Sequence, residues 1–373
     1  MANKKIGITG HNGFLGTHLK NKIKYLFSDF DIINFKRSFF EDEKQLSVFV
    51  NSCDIIVHLA GLNRHNSEDE IVKINIQLAK ALGTSLINNK FKGTLIFSSS
   101  LQEKKDTPYG ISKKKAAEIF VEASKSGSFS FTQLIIPNIF GPLCRPHYNS
   151  FISTFSHQLV NGEKPLIIED RLVPLIYVEN VVDKIIDSIS LKGFHMIEIP
   201  HQIQIKVSDV LNRLKGFRNT YFKKGIIPRL NNLFDLQLFN SFRSYINSND
   251  YFPKAYKIHD DERGYFSELL RTYSEGQVSF SKTKPEITRG NHFHTRKIER
   301  FSVIQGQAKI VMRTIGSKER IEFNLSGVEP AYVDIPVLTT HNIKNVGKED
   351  LITVFWISEH YNPDDPDVFF EKV

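Results

Sequence analysis

The sequence is poor in cysteine and contains no long hydrophobic segment. Only Cys53 and Cys144 occur among the 373 residues, too few for a disulfide framework, which predicts a reducing, cytoplasmic location. No apolar run approaches the ~18 residues that a membrane span requires, so we expect no membrane insertion. Lys4 and Lys5 lead directly into a predicted strand rather than into a cleavable apolar stretch, which argues against a signal peptide.

The composition is otherwise that of a globular protein with a positive charge. Hydrophobic residues make up 40% of the chain and charged residues 24%, and 30 phenylalanines supply material for a core. The 49 basic and 41 acidic side chains leave a net charge of +8. This favours anionic partners such as nucleic acid, a membrane surface or phosphorylated small molecules. At roughly 150 residues per domain, the length predicts two domains.

Two regions with different patterns of predicted secondary structure support this division. In the first half, short buried strands alternate with amphipathic helices, which predicts an α/β doubly wound parallel sheet of the Rossmann type. The predicted strands are Lys5–Thr9, Asp31–Phe35, Asp54–Leu59, Thr94–Ser98 and Phe131–Ile136. After Tyr256, short β-rich runs between glycine and charged turns predict a small antiparallel sandwich or barrel. We place the boundary so that the domains span residues 1–248 and 249–373.

A glycine-rich turn follows the first predicted strand and opens a helix. Glycines at this place allow a tight turn and a close approach of the backbone to a pyrophosphate, and the helix amino terminus supplies unpaired N–H groups. The position therefore favours dinucleotide binding over a purely structural turn. The predicted contacts are Gly10, Gly13, Phe14, Leu15 and Gly16.

The end of the second predicted strand indicates which dinucleotide is bound. An acidic residue there would hold the ribose diol of NADH, whereas this chain has Lys36 and Arg37. A basic pair suits the 2′-phosphate of NADPH. The alternative is that Lys36 and Arg37 are solvated surface charges.

Tyr109 and Lys113 form the one YxxxK pattern among the twelve tyrosines. On a helix this spacing places both side chains on one face. A nearby ammonium favours the phenolate, so we expect Lys113 to lower the pKa of Tyr109, which can then exchange a proton with a carbonyl or alcohol oxygen. The pair opens a predicted helix after a strand that ends in serines, which indicates a catalytic role.

Four candidate metal ligands lie in the last third of the chain. His292 and His294 are two residues apart, so on a strand both imidazoles point to the same side. Glu299 and His341 would come from neighbouring strands and complete a set of three nitrogens and one oxygen. This set suits Zn²⁺, with Fe²⁺, Mn²⁺ or Ni²⁺ as other divalent ions that it can hold.

The first half resembles the extended short-chain dehydrogenase/reductases (SDRs). Thr9–Gly16 resembles their TGxxGxxG turn, and Asp54–Gly61 resembles their fourth-strand signature, whose tail lines the cofactor. The residues that this implies as cofactor contacts are Leu59, Ala60 and Gly61, with Arg64 just beyond as a further phosphate contact.

The same resemblance implies a catalytic serine that hydrogen-bonds the substrate. Phe97–Ser100 resembles the FSSS motif of sugar-nucleotide epimerases, in which the position of Ser100 contacts the substrate oxygen. Only eight residues separate Ser100 from Tyr109, fewer than the usual family insert. The departure leaves open whether Ser99 or Ser100 reaches the substrate.

A second substrate contact is implied further along. Pro137–Pro142 resembles part of the family's RxxNVYGP segment, which makes Asn138 a contact in the substrate loop. The chain departs from that segment at Ile135, where the family has arginine.

The last third resembles the cupins, which implies a jelly-roll barrel. Their two motifs, HxHx4Ex6G and PxGxxHx3N, match the segments from His292 to Gly306 and from Pro336 to Asn345. The one departure is Leu338, which stands at the glycine of the second motif.

This region also resembles the RmlC type of deoxysugar-nucleotide 3,5-epimerases. Asp261–Glu268 is similar to their DxRGxFxE segment, and Arg289–His292 to their RGLH segment, whose histidine is the catalytic base. Those epimerases bind no metal, so a base and a metal ligand are competing roles for His292. The three other ligand candidates favour metal ligation, and the proton-transfer base is then unassigned.

The order of the two regions resembles a family of capsular polysaccharide and O-antigen enzymes that fuse an SDR to an RmlC-like cupin. The resemblance implies that the cupin epimerises C3 of a UDP-2-acetamido-2,6-dideoxy-4-ketohexose. The reductase would then reduce C4 with NADPH to UDP-2-acetamido-2,6-dideoxy-L-talose, on the route to UDP-N-acetyl-L-fucosamine. Chemistry supports this order, because the C3 proton is acidic only while C4 is a ketone.

The family resemblance also implies a homodimer, since extended reductases pair two helices per subunit. The residues of the helix from Tyr109 that can face either a partner or the sheet are Ile111, Ala116, Ile119, Phe120 and Ala123.

Alternatives from other classes stay open. The SDR region could act on another nucleotide sugar beside a non-catalytic, sugar-sensing cupin. The charge of +8 also fits an RNA-binding SDR relative. We expect no nucleic-acid binding, because the sequence has no basic stripe interleaved with aromatics.

Overall fold

The chain forms two compact units. The first comprises Met1–Phe151 and Glu169–Val207, and the second Ile152–Ile168 and Ser208–Val373. The computed structural model describes residues 3–256, 258–261, 264–267, 270, 276–359 and 362–373. The predicted domain boundary between residues 248 and 249 lies inside the second compact unit. These units are defined by packing, so the division into a reductase domain and a cupin domain at that boundary stays a prediction. No helix in the described ranges has the length and apolar character needed to cross a membrane.

The first unit is built on a parallel sheet. Its strands are β1 (Lys4–Thr9), β2 (Phe30–Ile33), β3 (Ile55–His58), β4 (Thr94–Ser100), β5 (Ser130–Ile136), β6 (Asn138–Phe140), β7 (Leu172–Tyr177), β8 (Phe194–Glu198) and β9 (Ile203–Lys206). Six of them form the sheet, in the order β2-β1-β3-β4-β5-β8, while β6, β7 and β9 form a small sheet of their own. The five predicted strands are all present, within two residues of the expected bounds.

Helices connect these strands. They are α1 (Phe14–Leu26), α2 (Glu43–Asn51), α3 (Glu68–Asn88), α4 (Pro108–Ser126), α5 (Phe151–Val160), which leads into the second unit, and α6 (Val178–Asp187). The start of α4 is specified locally: Thr107 caps it by accepting the Gly110 N–H at 3.1 Å, and Pro108 occupies the first turn. This cap fixes Tyr109 in the first turn of the helix.

The two faces of the sheet carry different cores. One core is rich in phenylalanine and includes Phe35, Phe49, Phe97, Phe120 and Phe131. The other is aliphatic and includes Ile6, Ile8, Val57, Ile96 and Leu134. Burial on both faces explains why the central strands are continuous apolar runs, and it confirms the doubly wound α/β fold.

The second unit combines helices with antiparallel strands. Its helices are α7, which begins at the end of the first unit (Val207–Phe217), α8 (Leu233–Arg243) and α9 (Ser248–Tyr251). Its strands are β10 (Lys254–Ala255), β11 (Ile258–Asp261), β12 (Gly264–Ser267), β13 (Gln277–Thr283), β14 (Thr288–Phe293), β15 (Glu299–Gln305), β16 (Gln307–Thr314), β17 (Ile321–Ser326), β18 (Ala331–Ile335), β19 (Thr339–Asn345), β20 (Leu351–Ile357) and β21 (Phe369–Phe370).

These strands confirm the all-β region expected after Tyr256. Two five-stranded sheets form, in the orders β10-β18-β15-β20-β13 and β17-β16-β19-β14-β21. Strands β11 and β12 pair as a hairpin, and the DxRGxFxE segment runs from the last residue of β11 through β12. Three residues of that segment, Glu262, Arg263 and Glu268, lie outside the described residues.

A buried polar network joins the helical part of the second unit to its strands. Arg300 on β15 donates two hydrogen bonds to Asp334 on β18, at 2.7 and 3.0 Å. Arg243 on α8 donates to the Tyr221 hydroxyl at 2.6 Å, and Tyr221 in turn donates to Asp334. The helices from residue 208 onward therefore share their interior with the antiparallel strands.

Candidate active site and metal centre

The glycine-rich turn has the close backbone packing that the sequence predicts. Gly10 has a φ of +75°, and a Cβ added there would lie 2.8 Å from the Ala60 nitrogen. A Cβ on Gly16 would lie only 2.2 Å from the Gly10 carbonyl oxygen. Gly13 donates its N–H to that oxygen at 2.9 Å and precedes α1 directly. Positions 10 and 16 therefore have no room for a side chain and require glycine. Phe14 and Leu15 form the first turn of α1.

The predicted cofactor-lining tail lies against this turn. The Leu59 N–H donates to the Thr9 carbonyl at 3.1 Å, and the Ala60 N–H donates to the Thr9 hydroxyl at 3.3 Å. Gly61 lies near the predicted Tyr109–Lys113 pair, because a Cβ on it would lie 3.6 Å from the Lys113 ammonium.

The predicted phosphate-binding cations are exposed. Lys36 and Arg37 follow β2, the neighbour of β1, and begin a short 3₁₀ helix. Arg64 is also exposed and donates to the His147 carbonyl at 3.4 Å. The position beside β1 is the one expected for 2′-phosphate selection, while their exposure equally fits solvated charges.

Lys113 is buried beside Tyr109. Its ammonium donates to the Ser98 carbonyl at 2.7 Å and lies 5.8 Å from the centroid of the Tyr109 ring. Burial lowers the pKa of Lys113 to about 8, and the Glu103 carboxylate opposes this shift. Burial also raises the pKa of Tyr109 well above its usual value, and Tyr148 adds to the effect. The expected lowering of the Tyr109 pKa by Lys113 is therefore wrong, because desolvation of the phenolate dominates.

The two candidate serines have different partners. The Ser99 hydroxyl donates to the Glu103 carboxylate, which also accepts from the Gln133 amide at 2.9 Å. The Ser100 hydroxyl oxygen accepts the Gln102 N–H at 3.2 Å and caps a short 3₁₀ helix. This bond uses a lone pair of Ser100 and leaves its proton able to donate. Glu103 was not identified from the sequence, since nothing in its spacing marks it.

A cavity of about 490 Å³ opens beside Tyr109. Arg64, Asn63, Gln102 and Thr107 also line it. Asn138, the predicted substrate contact, is exposed at the start of β6 and donates to the Pro174 carbonyl at 3.1 Å. The cavity is thus bordered by Tyr109, the cationic Arg64 and the acidic Glu68.

The four predicted metal ligands come together between the two antiparallel sheets. His292 on β14 is the direct partner of His341 on β19, and Glu299 opens β15 in the other sheet. One potential ligand atom from each of the four side chains lies within 4.8 Å of the others. A register shift between Gly290 and His292 produces the pairing with His341. Sequence spacing gave no sign of this bulge, at which Asn291 has a φ of +61°.

The hydrogen bonds around this cluster suit a metal ion. The His294 Nδ1 donates to the Asp367 carbonyl at 2.5 Å, and the His341 Nδ1 donates to the Thr339 carbonyl at 3.3 Å. Both rings thereby direct Nε2 inward, 3.2 and 3.0 Å from Glu299 Oε2. These two nitrogens and this oxygen are buried without a hydrogen-bond partner. Orphaned lone pairs that converge in this way are the donor set of a divalent cation.

Electrostatics place Glu299 and His292 in ligand form, whereas burial alone would lower the pKa of His294 but its hydrogen bond to Glu299 raises it. Burial alone would raise the pKa of Glu299, yet His294 and His341 hold it well below its usual range. Burial lowers the pKa of His292 to about 4, and the two other histidines add to this. An ionised carboxylate and a neutral imidazole are the forms that bind metals.

The remaining motif residues have structural roles. Leu338, at the glycine position of the second cupin motif, has a φ of +56°, so the backbone there has the conformation that favours glycine. Asn345 is buried and donates to the Thr283 and Glu349 carbonyls at 2.9 and 2.8 Å. Asn345 therefore anchors a turn and is not a ligand.

Comparison with known proteins agrees with this architecture. Residues 6–190 match the NAD dependent epimerase/dehydratase family, and residues 259–369 match the polysaccharide biosynthesis C-terminal domain. The UDP-2-acetamido-2,6-beta-L-arabino-hexul-4-ose reductase of Pseudomonas aeruginosa is 30% identical over 370 residues, which cover 98% of both chains.

Two solved structures extend the comparison. The crystal structure of the capsular polysaccharide assembling protein CapF from Staphylococcus aureus has 31% identity and a TM-score of 0.61, with 99% of this chain and 100% of that chain covered. RMD from Pseudomonas aeruginosa, complexed with NADPH, has 16% identity and a TM-score of 0.53 over 58% of this chain and 83% of its own. The second likeness shows the fold of the parallel-sheet region alone.

The fold and these matches define a short-chain dehydrogenase/reductase joined to a cupin-like β domain. Because the similarity extends over the full length, the chain belongs to the CapF family of capsular polysaccharide assembling proteins.

Proposed function

We propose that the protein is a bifunctional UDP-sugar enzyme. Its cupin-like region epimerises C3 of a UDP-2-acetamido-2,6-dideoxy-4-ketohexose, and its parallel-sheet unit reduces C4 with NADPH to UDP-2-acetamido-2,6-dideoxy-L-talose, on the route to UDP-N-acetyl-L-fucosamine. The observation that carries the proposal is the Tyr109–Lys113 pair beside a cavity, in a chain similar over 98% of its length to a reductase named for a UDP-linked hexul-4-ose.

Tyr109 is the proposed proton donor in the reduction. Bound NADPH would supply the hydride to C4, and the developing alkoxide at O4 would take the Tyr109 proton. The raised pKa of Tyr109 supports this direction, because the hydroxyl stays protonated until a strong base forms. Ser100 has a hydroxyl proton available for O4, whereas the Ser99 hydroxyl is engaged by Glu103.

The NADPH preference rests on Lys36 and Arg37. Both are exposed at the end of the strand next to the glycine-rich turn, and residues 34–38 contain no acidic side chain that could hold a ribose diol. A doubly charged 2′-phosphate would gain two cationic partners there.

The epimerase proposal rests on the His/Glu cluster. A divalent cation such as Zn²⁺, held by His292, His294, Glu299 and His341, would supply Lewis-acid stabilisation of the negative charge that develops at O4. The orphaned inward-facing atoms of three of these residues support a cation at this place. Because reduction removes the ketone that makes the C3 proton acidic, epimerisation comes first.

We also propose a homodimer. Ala116 and Phe120 belong to the core of the first unit and cannot face a partner. Ala123 is also a core residue, but together with Ile119 it lines an open groove between α3 and α4. Ile76, Gly83 and Ile87 line the same groove. This groove is where a second copy would pair its own two helices, and a monomeric mass by light scattering at micromolar concentration would contradict it.

One experiment tests both activities. The full chain is incubated with a UDP-4-keto-6-deoxy-N-acetylhexosamine and NADPH, and the product is identified by NMR. We expect inversion at C3 and a new hydroxyl at C4. Retention at C3 would contradict the epimerase, and unconsumed NADPH would contradict the reductase.

A further inference from the structure

Asp367 clamps the loop that links two of the four candidate ligands. Its carboxylate is buried and accepts the Thr295 N–H at 3.0 Å and the Thr295 hydroxyl at 2.6 Å through one oxygen. The other oxygen accepts the Arg296 and Lys297 N–H groups at 3.0 and 3.2 Å. These donors belong to the four residues that connect His294 to Glu299, so a single carboxylate accepts three of the four backbone N–H groups of the connection; the Ile298 N–H donates to the Ser358 hydroxyl at 3.2 Å.

The same residue also holds a ligand ring. The Asp367 carbonyl accepts the His294 Nδ1 proton at 2.5 Å, which fixes the tautomer and directs Nε2 toward Glu299. Asp367 is only 3% exposed and has a φ of +45°. Its left-handed backbone turns the carbonyl toward His294 while the side chain faces the loop.

The chain after Asp367 is tied to the strand that carries His292. Phe369 and Phe370 pair with Phe293 and His292, and the Glu371 N–H donates to the Asn291 carbonyl at 2.8 Å. The segment after Asp367 therefore has a defined register against β14. This register fixes the position of Asp367 along the strand relative to His294.

We infer that Asp367 is a positioning residue of the metal centre. It acts through His294 and through the spacing of His294 from Glu299, and it is not itself a ligand. Partners of this kind fix ring orientation and raise ligand basicity, and their loss costs about 10–100-fold in metal affinity. The inference rests on the proposed metal site.

Asp367→Asn is the sharpest substitution. Asparagine has the same size and tolerates the left-handed backbone, but its amide replaces one acceptor oxygen with a donor. At least one of the loop N–H groups then loses its acceptor, whichever way the amide turns. The matched control is Asp365→Asn, which removes the same charge from an exposed carboxylate. Among the described residues, that carboxylate bonds only the Arg296 guanidinium, at 2.9 and 3.2 Å.

The measurement is Zn²⁺ affinity of the full chain by competition with a chromophoric chelator, together with the visible spectrum of the Co²⁺-loaded protein. Asp367→Asn keeps the carbonyl that bonds His294 and disturbs only the loop between His294 and Glu299. We therefore expect it to bind Zn²⁺ about 10-fold more weakly, at the lower end of that range, with an altered Co²⁺ spectrum, and Asp365→Asn to match the unmodified protein. The Co²⁺ spectrum reports ligand geometry, which a merely stabilising residue would not change.

The outcomes separate the inference from the metal proposal. If the unmodified protein binds neither ion, the metal site is wrong and the inference falls with it. If the unmodified protein binds and a folded Asp367→Asn variant binds equally well, only the role of Asp367 is overturned. If that variant does not fold, Thr295→Val decides, since it removes one hydroxyl donor at constant shape. An affinity within twofold of the unmodified protein would overturn the inference.

Discussion

Arg300 and Asp334 form a two-pronged ion pair in the interior of the second unit. The guanidinium donates to both carboxylate oxygens, at 2.7 and 3.0 Å, and neither side chain is more than 5% exposed. Asp334 also accepts from Tyr221, and its carbonyl accepts from Arg243 at 3.3 Å. The carboxylate thus pairs with Arg300 directly and is linked to Arg243 through the Tyr221 hydroxyl, which places Asp334 at the centre of the contact between α8 and the strands.

Asp334→Asn should destabilise the second unit strongly. Removal of one partner leaves buried charge uncompensated, which costs about 3–5 kcal/mol. We expect the free energy of unfolding to fall by that amount in a urea titration. The matched control is Asp350→Asn, whose partner Lys282 is largely exposed, and there the loss should stay below about 1 kcal/mol. Equal losses in the two variants would contradict the assignment.

Tyr109→Phe should abolish most of the reductase activity. The substitution removes the proton donor and keeps the ring, so NADPH oxidation should fall at least ~10²-fold, the usual effect of losing a positioned general acid. The rate of NADPH oxidation with the ketosugar substrate is measured from the absorbance of NADPH. A Tyr25→Phe variant on α1 provides the control and should retain its rate. Near-normal turnover by Tyr109→Phe would remove Tyr109 from the mechanism.

The pH profile of the reductase should report Lys113. Its pKa is lowered to about 8 by burial, so the ammonium is present below that pH and is lost as the pH rises through it. His58, which also faces Lys113, has a pKa lowered to about 3 by burial and then by Lys113 itself, and the pKa of Tyr109 is raised. Neither His58 nor Tyr109 therefore titrates near pH 8. The Glu103 carboxylate also acts on Lys113, and it raises the pKa of Lys113 against the effect of burial.

We expect kcat/KM, which reflects the free enzyme, to decline above about pH 8. Lys113→Arg should lower the rate and abolish the decline, because a guanidinium stays charged. A profile that is level up to pH 9.5 in the unmodified protein would show that the charge of Lys113 is not required.

Cofactor selection should depend on Arg37. We expect kcat/KM to favour NADPH over NADH, and Arg37→Ala to reduce that ratio about 10-fold or more, the scale of losing a hydrogen bond to a charged group. Lys44→Ala, on the exposed face of α2, removes an equal charge nearby and should leave the ratio unchanged. Equal use of both cofactors by the unmodified protein would contradict the prediction.

The sequence predicts this fold well where one physical constraint dominates. Central parallel strands are buried on both faces, so segments such as Ile55–His58 appear as unbroken apolar runs. The spacing of His292 and His294 likewise predicts their shared side, because strand alternation is strict. Leu338 shows the limit of motif matching, since its backbone has the conformation of the motif's glycine although the side chain differs.

Other features depend on contacts that spacing does not encode. Asp367 meets His294 across 73 residues through a backbone carbonyl, and every residue type has such a carbonyl. The predicted lowering of the Tyr109 pKa is wrong because helical spacing shows a nearby cation but not the burial of the hydroxyl. Likewise, the place of α8 beside the strands depends on Arg243 and Asp334, which lie 91 residues apart.

The two proposed activities should separate by isotope exchange. Epimerisation consumes no hydride, so Tyr109→Phe should still exchange the C3 proton of the ketosugar for deuterium in D₂O. The ketone survives in that variant, and the exchange should therefore continue without NADPH. Replacement of His292, His294, Glu299 or His341 by alanine should stop the exchange while NADPH binding persists, because the glycine-rich turn and the His/Glu cluster belong to different compact units. Mass spectrometry of the recovered substrate measures both results.

Deuterium uptake by the His/Glu variants at the unmodified rate would refute the role of the cluster. Absence of exchange in Tyr109→Phe would mean instead that the two sites do not act independently.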